Sequence, residues 1–155
     1  MSDDFKNNFS WSSSRLSAFK SCKRKYYFQY YGFWGGWEDD APERVRNIYL
    51  LKKLQNRHTW KGTTIHEAIA FLLKSFLKNK EIDPEKFQEA VVDRMRNQYK
   101  VSLAGDYKND PKNNFRLLEH DYGEEIKNET WQLLRDDVTR CIDNFLGSKF
   151  WKKAK

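Results

Sequence analysis

The chain has 155 residues, enough for one domain with a real core, and 16% of them are aromatic, which excludes a disordered polypeptide. A formal net charge of +7, with 33% charged residues, is compatible with a polyanionic partner. No apolar run reaches the length of a membrane span, and the acidic start Met1-Ser2-Asp3-Asp4 has no apolar core of a signal peptide, so a cytoplasmic location is expected.

Residues 10–14 are serine-rich and read as a helix cap, because serine oxygens accept free backbone N–H groups. A single helix is predicted from there to about residue 31, with Leu16, Phe19, Cys22, Tyr26 and Tyr30 as its apolar stripe. Gly32, Gly35 and Gly36 end it. A second helix is predicted over 43–56, opened by Asp39-Asp40-Ala41-Pro42 and carrying Val45, Ile48, Leu51 and Leu54. A third is placed at 63–80, with Ile65, Ile69, Leu72, Leu73 and Phe76 inward. The fourth opens at Asp83-Pro84-Glu85 and carries Phe87, Val91, Met95 and Tyr99. Residues 105–114 are polar and turn-rich and read as a loop. The fifth helix is placed at 123–146, with Ile126, Thr130, Leu133, Leu134, Val138, Cys141, Ile142 and Phe145 on one stripe. No alternating strand pattern, repeat or low-complexity segment occurs. The expected fold is mainly α, of about five amphipathic helices.

Charge is unevenly distributed. Residues 5–37 contain no acid, yet they hold Arg15, Lys20, Lys23, Arg24 and Lys25 among dense aromatics that include Tyr26 and Tyr27. Aromatic faces stack bases and cations neutralise phosphates, so this stretch is a candidate nucleic-acid surface. An aromatic core stripe beside an ordinary solvated basic face explains the same composition. A second basic cluster, Lys149, Lys152, Lys153 and Lys155 around Trp151, closes the chain. Cys22 and Cys141 lack both a disulfide framework and zinc-site spacing and read as two buried thiols.

Two segments carry more. The first is Ser12-Ser13-Ser14-Arg15-Leu16-Ser17-Ala18-Phe19-Lys20-Ser21-Cys22, followed by Arg24-Lys25-Tyr26-Tyr27-Phe28; the second is Gly62-Thr63-Thr64-Ile65-His66. Gly62 is expected to permit a turn or close approach before its helix, and His66 to sit in that helix's first turns. Read alone, a single histidine there is a packed or surface residue, since one His without carboxylate partners defines no metal site; the positive helix terminus would keep its imidazole neutral.

In order and spacing the pair resembles the opening of RecB/AddB-like nuclease domains of the PD-(D/E)XK superfamily, and of the related CRISPR-adaptation exonucleases. That family opens on Ser-x-Ser-x-Leu-x-x-Phe-x-x-Cys, matched here by Ser12, Ser14, Leu16, Phe19 and Cys22, and has a later Gly-x-x-x-His, matched by Gly62 and His66. Lys23 stands where the family often has proline. The resemblance, which covers chiefly residues 10–70, implies a DNA exonuclease or endonuclease of DNA repair that acts with magnesium or manganese. It implies His66 as one metal ligand and a helicase or recombination partner. The family's Asp and Glu-x-Lys strand pair is not predicted before Lys155; Glu124-Glu125 and Asp136-Asp137 lie in a helical pattern, and Asp83-Pro84-Glu85-Lys86 reads as a helix start. The chain is therefore expected to be the helical N-terminal portion of such a domain, lacking the catalytic sheet and inactive alone. The largest uncovered apolar stripe is then expected on the helices at 63–80 and 123–146. Iron–sulfur members use a cysteine at the place of Cys22 with three more near the C-terminus; those three are absent, so no complete cluster is expected from this chain. The alternatives are a non-catalytic nucleic-acid-binding helical domain, or a module whose aromatic stripe docks a partner chain.

Overall fold

The structure is a computed structural model that describes residues 7–110 and 112–154, with side chains to Trp151. It divides into two compact units, Met1–Leu54 and Gln55–Lys155. Both are helical, and the described residues contain no strand beyond one isolated bridge. The mainly α expectation therefore holds.

In the first unit, α1 (Ser13–Ser21) starts where predicted: Ser12 is extended, and its Oγ accepts from the Arg15 N–H at 3.2 Å. The single long helix does not form. Cys22 is extended (φ −162°, ψ 114°), and α2 (Lys23–Tyr30) begins after it, with Cys22 Sγ accepting from the Lys25 N–H at 3.4 Å. The break brings the rings of Phe19 and Tyr26 edge to face at 5.4 Å. In a straight helix seven residues rise roughly 10.5 Å, so one rod would have kept them apart. Neither cysteine is buried as expected: Cys22 is exposed and Cys141, in the second unit, is half-buried.

The turns at 31–40 carry the unit's aromatic centre. Trp34 meets Trp37 at 5.1 Å, and Trp37 meets Tyr49 at 5.8 Å, both edge to face. Helix α3 (Glu43–Lys53) buries Tyr49, whereas Leu51, predicted to face inward, is 53% exposed. Gly36 is buried against this helix. A Cβ on it would stand 2.5 Å from Tyr49 Cβ and 2.7 Å from the Val45 carbonyl oxygen.

The second unit is built on α4 (Arg57–Leu77), α5 (Pro84–Ala104) and α7 (Asn128–Leu146). Its core is Trp60, Ala68, Val91, Met95, Leu117, Leu134, Val138 and Ile142. Helix α4 starts six residues earlier than predicted, because Asn56 Oδ1 accepts from the Thr59 N–H at 2.7 Å and caps it. Helix α5 starts as predicted, with Asp83 Oδ1 accepting from the Glu85 and Lys86 N–H groups, and ends at Gly105 (φ 78°).

The predicted loop that follows contains a 3₁₀ turn, Asp106–Lys108, whose Tyr107 is 2% exposed. Burial first, and then the hydrogen bond to Asp121, raise that phenol's pKa well above its ordinary value. A short α6 (Leu118–Asp121), not predicted from the sequence, carries the buried Glu119. Glu119 Oε1 accepts from the Arg57 N–H at 2.8 Å and from Arg57 Nη1 at 3.2 Å, at the start of α4. Beside it, Gln55 and Leu117 form the parallel bridge.

Helix α7 begins at Asn128 rather than near 123, after Gly123 takes φ 65°. The expected uncovered stripe is corrected: α4 packs chiefly on α7, and Leu72, Val138 and Ile142 are at most 1% exposed. Single residues on these helices, Phe71, Leu77 and Leu133, do stay exposed. Helix α8 (Lys149–Ala154), also unpredicted, buries Trp151 against Phe76 and Phe145. That tryptophan is thus part of the packing and not of a basic surface. Of the lysines around it, Lys155 and the side chains of Lys152 and Lys153 lie outside the described residues. No helix among the described residues is long and apolar enough to cross a membrane.

Candidate nucleic-acid interface and metal position

The first motif forms one continuous piece of the first unit. Ser12 and Ser14 hold each other through their hydroxyls at 3.0 Å, and Ser12 caps α1. Arg15 is tied down, with Nη1 donating to the Ser10 carbonyl at 2.9 Å and its guanidinium 4.5 Å from the Tyr30 ring centre. Leu16 is half-buried. Tyr26 is the hub of the aromatics, touching Phe19, Tyr30 and Tyr31, and its hydrogen bond to the Tyr31 hydroxyl raises its pKa. These residues shape the motif from within.

The others face water. Lys20, Lys23, Arg24, Lys25 and Tyr27 are exposed, as is Phe19 in part. Lys23 lies 5.8 Å over Phe19, and Arg24 5.7 Å over Phe28, so cations and rings alternate on the surface. The three consecutive cations sit in the first turn of α2, where the helix terminus is itself positive. Nothing in that turn offsets them, which makes it a strong attractor for an anion.

Two exposed aromatics were not singled out by the sequence, Phe9 at 68% and Trp11 at 62%. Their rings are 6.2 Å apart just before α1. The acid-free character of the stretch was the signal that could have included them. Lys52 was missed too: its ammonium lies 3.2 Å over the Phe33 ring, and burial, then Lys53 and Arg15, lower its pKa.

The second motif is placed differently from its prediction. Gly62 and His66 both lie inside α4, nine residues of it preceding His66. The helix terminus expected beside the imidazole is therefore not there. The His66 side chain is exposed. Gly62 makes no close approach, since an added Cβ would find nothing within 4 Å. Gly62→Ala is accordingly expected to stabilise the second unit by about 0.5–1 kcal/mol, the ordinary difference in a helix interior, read as a higher unfolding midpoint in urea.

Among the described residues no carboxylate pair accompanies His66. Its neighbour Glu67 is bonded to Arg94, and Asp137 is held 2.9 Å from Lys61, an ion pair that lowers the Asp137 pKa. Among the described residues no group of three His, Cys, Asp or Glu side chains is placed to hold a metal ion. His66 alone does not make a metal centre. Cys22 and Cys141 lie in different units.

No curated protein and no solved structure matches the chain. A family model does, that of the PD-(D/E)XK nuclease superfamily, whose members generally use divalent metals; it matches residues 10–142. That match takes in the capped α1–α2 pair, the Gly62–His66 segment of α4 and nearly all of α7, and the chain belongs to the PD-(D/E)XK nuclease superfamily.

Proposed function

We propose that this chain is the DNA-holding helical portion of a RecB-like, metal-dependent deoxyribonuclease. In this reading the α1–α2 surface grips the sugar–phosphate backbone and exposed rings stack on bases. His66 lends one imidazole to a magnesium or manganese ion whose carboxylates come from a further segment. A helicase or recombination partner would deliver the DNA. The observation that carries the reading is the acid-free stretch, on which Lys20, Lys23, Arg24 and Lys25 are exposed together with Phe9, Trp11 and Tyr27.

Binding of labelled single-stranded and duplex oligonucleotides, followed by fluorescence anisotropy across a salt series, tests it. Affinity should be sequence-independent and fall steeply with salt, because each phosphate contact releases counterions. Replacing Lys23, Arg24 and Lys25 with Gln should flatten the log–log slope by roughly 0.7–0.9 for each phosphate no longer neutralised. An unchanged slope would remove α2 from the interface.

A non-catalytic nucleic-acid-binding domain is the second reading, favoured by His66 belonging to no group of three potential metal ligands among the described residues. Hydrolysis needs a held metal and an activated water. Incubated with DNA in magnesium or manganese, the 155-residue chain is expected to show no turnover. Cleavage that His66→Ala abolishes would place the missing carboxylates within the chain after all.

A further inference from the structure

The second unit contains a cavity of about 340 Å³ between α5 and α7, within the range of small-ligand sites. Its walls include three aromatic side chains, Trp60, Tyr99 and Trp131, and three cationic ones, Arg96, Lys100 and Arg135, and no acidic residue lines it. This composition is local. The neighbouring cleft on α5 shares Val92 and Arg96 with it and is otherwise acidic, with Glu85, Glu89 and Asp93.

Of the three rings, Tyr99 and Trp131 are half-buried at the wall and Trp60 is buried behind them. Tyr99 meets Trp131 at 5.1 Å and 74°, and Trp60 meets Trp131 at 6.4 Å and 66°. Both contacts are edge to face, and His120 packs on Tyr99 at 4.8 Å and on Trp131 at 5.8 Å. Trp60 is fixed by its indole N–H, which donates to Gln98 Oε1 at 2.8 Å. The amides of Asn128 and Gln132, each both donor and acceptor, also reach the wall.

We propose that this cavity binds one unstacked nucleotide, its base against the Trp131–Tyr99 corner and its phosphate on Arg96, Lys100 and Arg135. The apolar rings give a base a stacking surface regardless of sequence, and the guanidiniums and ammonium favour a dianion. Two of the cations have carboxylate neighbours, Arg96 with Asp93 and Arg135 with Asp136, each at 2.7 Å. Both pairs are exposed, although Arg135 donates twice to Asp136, so a phosphate competes more readily for Arg96 than for Arg135. Lys100 makes no ion pair among the described residues. The same chemistry is offered by a free mononucleotide and by a nucleotide within a strand. The cavity belongs to the second unit alone and is independent of the α1–α2 surface.

The full chain is titrated with dTMP and with thymidine at low salt, and the quenching of tryptophan fluorescence is followed. The dTMP should bind at least about tenfold more tightly than thymidine, because only dTMP engages the cations. A double variant, Arg96→Glu with Lys100→Glu, should weaken dTMP by at least about tenfold while leaving thermal unfolding unchanged. The Lys23, Arg24 and Lys25 to Gln variant should bind dTMP like the parent chain, so this inference and the proposed DNA surface stand or fall separately. Displacement of dTMP by 5′-phosphorylated oligothymidine assigns the cavity to a strand; retention of dTMP assigns it to the free nucleotide. Absence of dTMP quenching, or quenching that the double variant does not weaken, overturns the proposal.

Discussion

Gly36→Ala is expected to unfold the first unit while leaving the second folded. The added methyl would lie 2.5 Å from Tyr49 Cβ, 2.7 Å from the Val45 carbonyl oxygen and 3.0 Å from that of Phe33. Two of these three atoms are backbone, and the third is the stiff root of a side chain that is only 4% exposed. None gives way by rotating a flexible tip. Overpacking of a dense interior typically costs about 1–3 kcal/mol, and a clash with backbone belongs at or above about 3 kcal/mol. A unit of this size has little reserve against such a loss. Chemical denaturation of the parent chain and the variant measures it, with near-ultraviolet circular dichroism reporting the Trp34–Trp37–Tyr49 cluster. The variant should lose that signal before denaturant is added. A parent-like signal and midpoint would show that α3 sits farther from Gly36 than described. Because α1 and α2 belong to the same unit, the variant should also lose DNA affinity, without any change to a cation.

Glu119→Ala is the second large effect. The carboxylate is 1% exposed and satisfies two donors of Arg57, the backbone N–H at the first residue of α4 and the guanidinium. Removing one member of a buried pair costs about 3–5 kcal/mol, because the partner is left uncompensated. Arg57 keeps 27% of its side-chain exposure and recovers some hydration, and Glu119 Oε2 is buried without a partner, so the expected loss lies below that range, at about 1–3 kcal/mol. Glu119→Gln keeps an acceptor for the backbone N–H and should lose less. The urea midpoint of the second unit should therefore fall in the order parent, Gln variant, Ala variant, at a constant denaturant slope. Equal midpoints for parent and alanine variant would remove Glu119 from the support of α4.

Much of the helical layout was legible from local chemistry. Helix α5 was placed well because Asp83-Pro84 caps it and Val91 and Met95 recur at helical spacing. The start of α4 is not legible because Gly62 suggests a turn before the helix, while the actual cap, Asn56, stands in front of polar residues that show no periodicity. The α1–α2 break was hidden because Cys22 continues the apolar stripe in phase; only its backbone leaves the helix. Glu119 was invisible for a different reason. Its burial depends on Arg57, 62 residues away, and nothing beside it in the chain announces that partner. The motif residues of the first unit were readable because they are contiguous. The aromatic cavity was not, since Trp60, Tyr99 and Trp131 come from three helices whose meeting faces are set by tertiary packing.

The junction of Gln55 with Leu117 also bears on the order of folding. The Arg116 carbonyl accepts from the Gln55 N–H, and the Leu118 N–H donates to the Gln55 carbonyl, so the chain closes on itself over 62 residues just where Glu119 meets Arg57. Closing so long a loop is entropically unfavourable until the intervening segments have collapsed. Contacts such as the α5–α7 packing and the 3₁₀ turn after Gly105 span shorter stretches and are available earlier. The junction is therefore expected to form late, as a latch on the second unit, so that Glu119→Ala should speed unfolding and leave the folding rate unchanged in stopped-flow kinetics.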